Sequence, residues 1–235
     1  MQTFIIHVKT AIEREVHIKN QLKNTNNKID FILEGDIPDL YPDLLEVYFK
    51  GNMNGAPNGA ISCAYKHLRA YQRMLDNHIP IALILEDDII LEKNFYEIVD
   101  GILKEVELRS LNCFAISIED SNVRYINKSE RKEGTYLYPK NKGRLTGAYI
   151  VDYDFAKSVI DYTLIHKCDV PIDWYHNICC QNGVFQFYWS HPTVAYQASI
   201  SGKFKSLIDH KPKGFVRELS YLMQRSYKKI LYYFR

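Results

Sequence analysis

Ile79-Pro80-Ile81-Ala82-Leu83-Ile84-Leu85-Glu86-Asp87-Asp88 runs from an apolar segment straight into three acids, and Ile89-Ile90-Leu91 follow at once. A short apolar run bounded by Pro and charge reads as a buried parallel strand. Open α/β sheets bind ligands in the crevice outside the carboxyl ends of their strands, so the acids are expected at that edge. Period-two alternation puts Glu86 and Asp88 on one face and Asp87 on the other. Two carboxylates aimed into one crevice repel unless a cation joins them. Their oxygens suit Mg²⁺ or Mn²⁺, whose shells substrate phosphates commonly complete. The stretch therefore points to a metal-assisted site for a nucleotide diphosphate. The competing reading is that the acids only end a strand and cap the next turn.

Outward from this strand, the pattern alternates. Phe4 to Val8 reads as a first strand, and Thr10 with Glu13 makes a capping box for a helix through about Lys23. Asp30 to Leu33 reads as a second strand. Residues 36–58, with Pro38, Pro42, Gly51, Gly55 and Pro57, read as loop. Ile61, Ala64, Leu68, Tyr71 and Leu75 recur at steps of three and four, an amphipathic helix that delivers the chain to the acidic strand. A helix from about Asn94 to Glu107 follows, then a strand from Cys113 to Ile118. Residues 121–143 read as a polar surface loop or lid. Leu145 to Val151 reads as a strand, with Asp152 or Asp154 capping a helix to about Ile165. Pro171-Ile172-Asp173 precedes a further helix, and Val184 to Trp189 reads as a last strand. Strands alternating with helices predict an α/β fold with a mostly parallel sheet.

The 235 residues, 46% of them hydrophobic, suffice for one domain with an appendage. No apolar run approaches the roughly 18 residues a membrane span needs. Phe4-Ile5-Ile6 is too short for a signal-peptide core, so a cytoplasmic protein is expected. Five cysteines, an odd number, then read as reduced thiols. Cys63 and His67 stand one helical turn apart and read as a packing pair. Residues 203–235 hold nine Lys or Arg against Asp209 and Glu218, a net +7, which leaves −5 for residues 1–202. A mildly acidic body with a basic tail argues against nucleic-acid binding and for a localised anionic partner. Two units are expected: a catalytic domain over 1–202 and a basic amphipathic extension over 203–235.

Other positions carry weaker chemistry. Asp173 is an N-cap candidate that also suits a general base at the sheet edge, with Glu119 and Asp120 as reserves. His191, before Pro192, is a turn residue or a metal ligand. Lys9 and Arg14 follow the first strand, where a basic group could meet a nucleotide. Gly147 marks a close approach to backbone.

Gly59-Ala60-Ile61-Ser62-Cys63-Ala64-Tyr65-Lys66-His67-Leu68, followed by Ile84-Leu85-Glu86-Asp87-Asp88, resembles glycosyltransferase family 25, the lipooligosaccharide galactosyltransferases and their collagen-modifying relatives. Glu13-Arg14, Leu145 to Val151, Pro171-Ile172-Asp173, His191-Pro192 and Gln197 extend the match over about residues 1–200. The resemblance implies a Rossmann-like glycosyltransferase fold of the A type, a UDP-sugar donor, Mn²⁺ or Mg²⁺, and inversion at the anomeric carbon. It assigns metal binding to Asp88, Glu86 and His191. Val8, Lys9, Arg14, His67, Glu86, Asp87, Gly147 and Gln197 fall to the donor. Family members often carry Gly and Ser where this chain has Ser62 and Lys66, and Asn-Leu where it has His7-Val8, which bears on donor and acceptor identity.

The expected activity is transfer of galactose, less readily glucose, from its UDP conjugate to lipooligosaccharide. A non-catalytic sugar- or nucleotide-binding homologue is the rival from another class, disfavoured by the clustered acids. The extension is expected to hold the enzyme on an anionic membrane surface at the inner face of the cytoplasmic membrane. Phe215, Leu219, Leu222, Met223, Tyr227, Ile230, Leu231 and Phe234 line one side, with Arg and Lys between them. The sequence leaves a homodimer open.

Overall fold

The computed structural model describes residues 1–198, apart from 24, 26, 52, 57, 122 and 123, together with Phe204, Met223 and Tyr227. Its strands are β1 (Gln2–Ile6), β2 (Lys28–Ile32), β3 (Ile81–Glu86), β4 (Ile89–Leu91), β5 (Phe114–Ser117), β6 (Leu137–Lys140), β7 (Ala148–Asp152), β8 (Gln186–Ser190) and β9 (Ala195–Gln197). Its α-helices are α1 (Ile12–Gln21), α2 (Pro42–Tyr48), α3 (Asn58–Asp76), α4 (Phe95–Leu108), α5 (Tyr153–His166) and α6 (Ile172–Gln181).

The seven-stranded sheet has the order β2-β1-β3-β7-β5-β8-β6. Five strands point one way and β7 and β6 run against them. Both faces are covered. Phe4, Ile6, Ala82, Ile84, Ala115, Tyr149 and Val151 pack with α3, α5 and α6 on one side. Ile5, Leu83, Leu85, Phe114, Ile116, Ala148 and Ile150 pack with α1 and α4 on the other. Strict alternation along each strand thus fills two apolar layers, which is why these segments read as nearly continuous apolar runs. Each fully buried Leu or Ile contributes roughly 1.5–3 kcal/mol. Helix α3 turns Ile61, Ala64, Leu68 and Tyr71 inward, as its spacing predicts.

Several local expectations change. Ala11, not Thr10, occupies the N-cap of α1, with no side-chain cap. The Ala11 N–H closes a turn on the Val8 carbonyl at 2.8 Å, so Thr10 lies inside the turn and too early to cap. Residues 36–58 are not loop throughout, because Pro42 sits in the first turn of α2, where its missing N–H costs nothing. The expected lid at 121–143 contains β6, and its Pro139 is tolerated because β6 is an edge strand whose strand partner among the described residues is β8. β9 was not anticipated. It pairs antiparallel with β4, placing Gln197 opposite Ile89. All five cysteines are free thiols. No helix among the described residues is long and apolar enough to cross a membrane. The extension over 203–235 lies outside the described residues, except for Phe204, Met223 and Tyr227.

Candidate active site

The parallel direction of β1, β2 and β3 brings their carboxyl ends to one edge. There His7 follows β1, Glu34-Gly35-Asp36 follow β2, and Glu86-Asp87-Asp88 end β3. Asp87 and Asp88 are buried, at 4% and 3% exposure. Arg14 of α1 donates to Asp87 Oδ1 at 2.8 Å, and His7 Nδ1 lies 2.8 Å from Asp87 Oδ2. An ionised carboxylate can only accept, so His7 presents its Nδ1–H and both Asp87 oxygens are engaged. Asp87 therefore orders His7 and Arg14, while Asp88 Oδ2 stands 4.0 Å from the same guanidinium. The Phe204 ring lies 5.6 Å from the Arg14 guanidinium and edge-on to His17.

A cleft of about 580 Å³ opens at this edge. Val8, Lys9, Arg14, Glu86 and Asp87 line it, as do Asp36, Ser62, Cys63 and Lys66. Lys66 is 1% exposed; its ammonium pairs with Asp36 at 2.8 Å and also donates to the Leu33 carbonyl at 3.1 Å. Ser62 donates to the Gly35 carbonyl at 2.6 Å. The two α3 positions that depart from the family pattern thus both face the loop after β2 at the cleft wall. Asp36 gave no sequence signal, because a lone acid beside a glycine reads as an ordinary turn.

Gly147 admits side chains. A Cβ there would fall 2.7 Å from Gln197 Nε2, 2.8 Å from Glu119 Oε2 and 2.9 Å from Ile89 Cδ1. Glu119 is fully buried; its Oε2 accepts from the Gly147 and Ala148 amides at 2.9 and 3.2 Å, while Oε1 has no hydrogen-bond partner. Burial pushes its carboxyl well above the usual range, and the Glu86 and Asp88 charges push it further. Enclosed in this way, Glu119 suits a cation's surroundings better than an acceptor hydroxyl. Asp120 is exposed, and its amide donates to the Ala195 carbonyl at 2.8 Å.

Asp173 stands in the first turn of α6, whose N-cap is Pro171. Burial raises its pKa, bonds to backbone amides pull it back, the Glu86 charge raises it, and Arg124 opposes that. It is therefore an acid within electrostatic reach of Glu86. His191 follows β8; burial and then the Arg131 and Arg144 charges lower its pKa. The lowered pKa keeps the imidazole neutral, the form a metal ligand takes, and among the described residues His191 is not part of the Cys63, His67 and Glu86 cluster.

Cys63 and His67, expected as a packing pair, also meet Glu86. Their donor atoms and a Glu86 oxygen all lie within 4.8 Å of one another. His67 is fully buried; its Nδ1 is 2.7 Å from the Tyr149 hydroxyl, and its Nε2 has no hydrogen-bond partner, with Glu86 Oε1 3.7 Å away. Burial and then Glu86 raise the Cys63 thiol pKa. Glu86 and Asp88 both act electrostatically on Glu119, one of whose oxygens lacks a hydrogen-bond partner, and hard carboxylate oxygens of this kind suit Mg²⁺ or Mn²⁺ in type, although among the described residues only Cys63, His67 and Glu86 bring donor atoms within 4.8 Å of one another.

A model described as glycosyltransferase family 25 (LPS biosynthesis protein) matches residues 1–175. The chain belongs to glycosyltransferase family 25. A mimivirus protein (Acanthamoeba polyphaga mimivirus) designated glycosyltransferase R655 is 23% identical over 209 residues, 85% of this chain. The chain spans 63% of that relative's length. Apo mouse xyloside xylosyltransferase 1 aligns with 78% of this chain and 70% of its own, at 15% identity and a TM-score of 0.36.

Proposed function

We propose that this family 25 transferase moves galactose, in preference to glucose, from its UDP conjugate to a sugar hydroxyl of a lipooligosaccharide or LPS core, with inversion and with Mn²⁺ or Mg²⁺. One observation carries the reading: the cleft at the ends of β1 and β3 sets a basic rim, Arg14 and Lys66, beside the buried acids that end β3. In this scheme Glu86 and Asp88 hold the cation, and Asp87 keeps Arg14 aimed at the donor. A bound divalent cation would neutralise charge building on the departing UDP. Asp173 takes the acceptor proton as that hydroxyl attacks the anomeric carbon and the bond to UDP breaks. Burial makes a carboxylate a stronger base, which suits this role.

The test is UDP release measured with UDP-galactose, UDP-glucose and UDP-N-acetylhexosamines, each with and without lipooligosaccharide. Acceptor-dependent release with UDP-galactose is expected. UDP binding with no acceptor-dependent release from any donor overturns the reading in favour of a binding homologue.

Asp173→Asn is expected to keep the wild-type affinity for UDP while lowering kcat by roughly 10²–10⁴. Early melting with normal turnover per folded molecule would reduce Asp173 to a structural residue of α6.

We further place the enzyme at the inner face of the cytoplasmic membrane, held by the basic extension. Met223 and Tyr227, one helical turn apart in the expected apolar stripe, are 67% and 63% exposed. Apolar area plus roughly 1 kcal/mol per basic residue near anionic lipid supplies the affinity. Deleting residues 215–235 is expected to abolish binding to anionic liposomes at low salt and to spare activity on a soluble acceptor. Equal liposome binding by the full-length and shortened proteins would exclude this role.

A further inference from the structure

We infer that Cys63, His67 and Glu86 form a second cation site, for a borderline-soft ion such as Zn²⁺, separate from the oxygen site at Asp88. Cys63 and His67 lie on one face of α3, four residues apart, and the end of β3 carries Glu86 to them. The sulfur lies 3.9 Å from Glu86 Oε1, and His67 Nε2 lies 3.7 Å from that oxygen. Ligands around a tetrahedral zinc, at about 2.3 Å for sulfur and 2.0 Å for nitrogen or oxygen, stand roughly 3.3–3.8 Å apart. The two edges that meet at Glu86 therefore lie within a few tenths of an ångström of such a shell, and the third, between the sulfur and the imidazole, is no longer than 4.8 Å.

The imidazole is already set for the task. His67 is fully buried, and Nε2, its one ring nitrogen without a hydrogen bond, faces the carboxylate and the thiol. Its Nδ1 meets Tyr149 Oη at 2.7 Å; Tyr149 Oη meets Tyr71 Oη at 2.5 Å, and Tyr71 Oη meets His176 Nε2 at 2.9 Å. When His176 Nε2 accepts from Tyr71, the chain runs from His67 Nδ1–H outward and leaves a lone pair on Nε2. Metal-bound imidazoles are oriented in this way, through a partner on the other nitrogen. Cys63 and Glu86 also line the cleft, so an ion can enter and a fourth position stays open to water or an anion. Thiolate, imidazole and carboxylate together suit Zn²⁺ or Co²⁺ over Mg²⁺. Binding displaces the thiol proton to solvent.

The shared Glu86 couples the two sites, so zinc is expected to inhibit transfer. That consequence, unlike the site itself, rests on the donor reading above. The test is titration of the reduced full-length protein with Co²⁺, following the thiolate-to-cobalt absorption in the near ultraviolet. A band saturating at one equivalent and reversed by Zn²⁺ is expected. Cys63→Ala should abolish it, and Glu86→Gln, which keeps the thiol and α3, should weaken binding at least tenfold. Tyr149→Phe should weaken it about tenfold through the loss of imidazole orientation. The folded protein giving no band, or an unchanged band in Cys63→Ala, overturns the site whatever the activity assay shows. A band without zinc inhibition leaves the site standing and refutes only the coupling through Glu86.

Discussion

Asp88→Asn is expected to lower sugar transfer by ~10²–10³, the usual loss when one preorganised electrostatic contact is removed, while the fold is retained. The carboxamide keeps the shape of the side chain, so packing around this 3% exposed residue changes little. What disappears is the negative charge that would hold a cation beside Glu86 and Glu119. The loss should appear in kcat more than in overall UDP affinity, because charge on the leaving group builds toward the transition state. EDTA should silence the wild type, and added Mn²⁺ or Mg²⁺ should restore it. Full turnover in EDTA would sink the metal role and leave Asp88 as a structural residue beside Arg14.

The second large effect concerns stability. Arg144 is 2% exposed and donates to three backbone carbonyls: Arg124 at 2.9 Å, Ser117 at 3.0 Å and Ser190 at 2.9 Å. Burial pulls its pKa down to about 10, and the Asp120 and Glu119 charges oppose that. The guanidinium lies over the Trp189 ring at 5.1 Å and ties the ends of β5 and β8 to the loop entering β7. Arg144→Met fills much of the volume but leaves three carbonyls without this donor, at about 1–3 kcal/mol each. A loss of at least ~3 kcal/mol is expected in chemical denaturation, with Tm lower by roughly 6–12 °C for a chain of this size. Arg144→Lys should recover only part of it, since an ammonium cannot reproduce the planar fork. An unchanged denaturation midpoint in the methionine variant would show that solvent satisfies those carbonyls.

Much of the architecture was legible along the chain because its causes are local. An apolar run of this length, bounded by Pro80 and stopping at Glu86, fits a buried strand ending at a polar edge, which β3 is. The spacing of Ile61, Ala64, Leu68 and Tyr71 fits one side of a helix. A cap at Asp152 or Asp154 follows from their position before an apolar helix, and in the structure it is the Asp152 carboxylate that accepts from the Phe155 amide at 3.0 Å. The errors arose where a local rule has a tertiary exception. Pro139 reads as a loop residue until an edge strand makes its missing N–H harmless. Pro42 reads as a breaker until it opens a helix, and Thr10 reads as a cap until a turn on Val8 displaces it.

The sequence by itself determined the α/β alternation, the two-sided burial of the central strands, the family and the placing of Glu86, Asp87 and Asp88 at a sheet edge. The family came from the resemblance carried by residues 59–68 and 84–88; periodicity and composition within a dozen residues carry the rest, because local propensity and alternation are properties of the nearby chain. Only the tertiary structure decided which groups meet at that edge. His7 reaches Asp87 across 80 residues, Arg14 across 73 and Lys66 the loop after β2 across about 30. Glu119 lies against Gly147, and Cys63 and His67 converge on Glu86, because the strand order β1-β3-β7-β5 sets β3, β7 and β5 side by side. Such meetings depend on strand order and register. A shift of one residue in any strand would turn its side chains to the opposite face and dissolve the site.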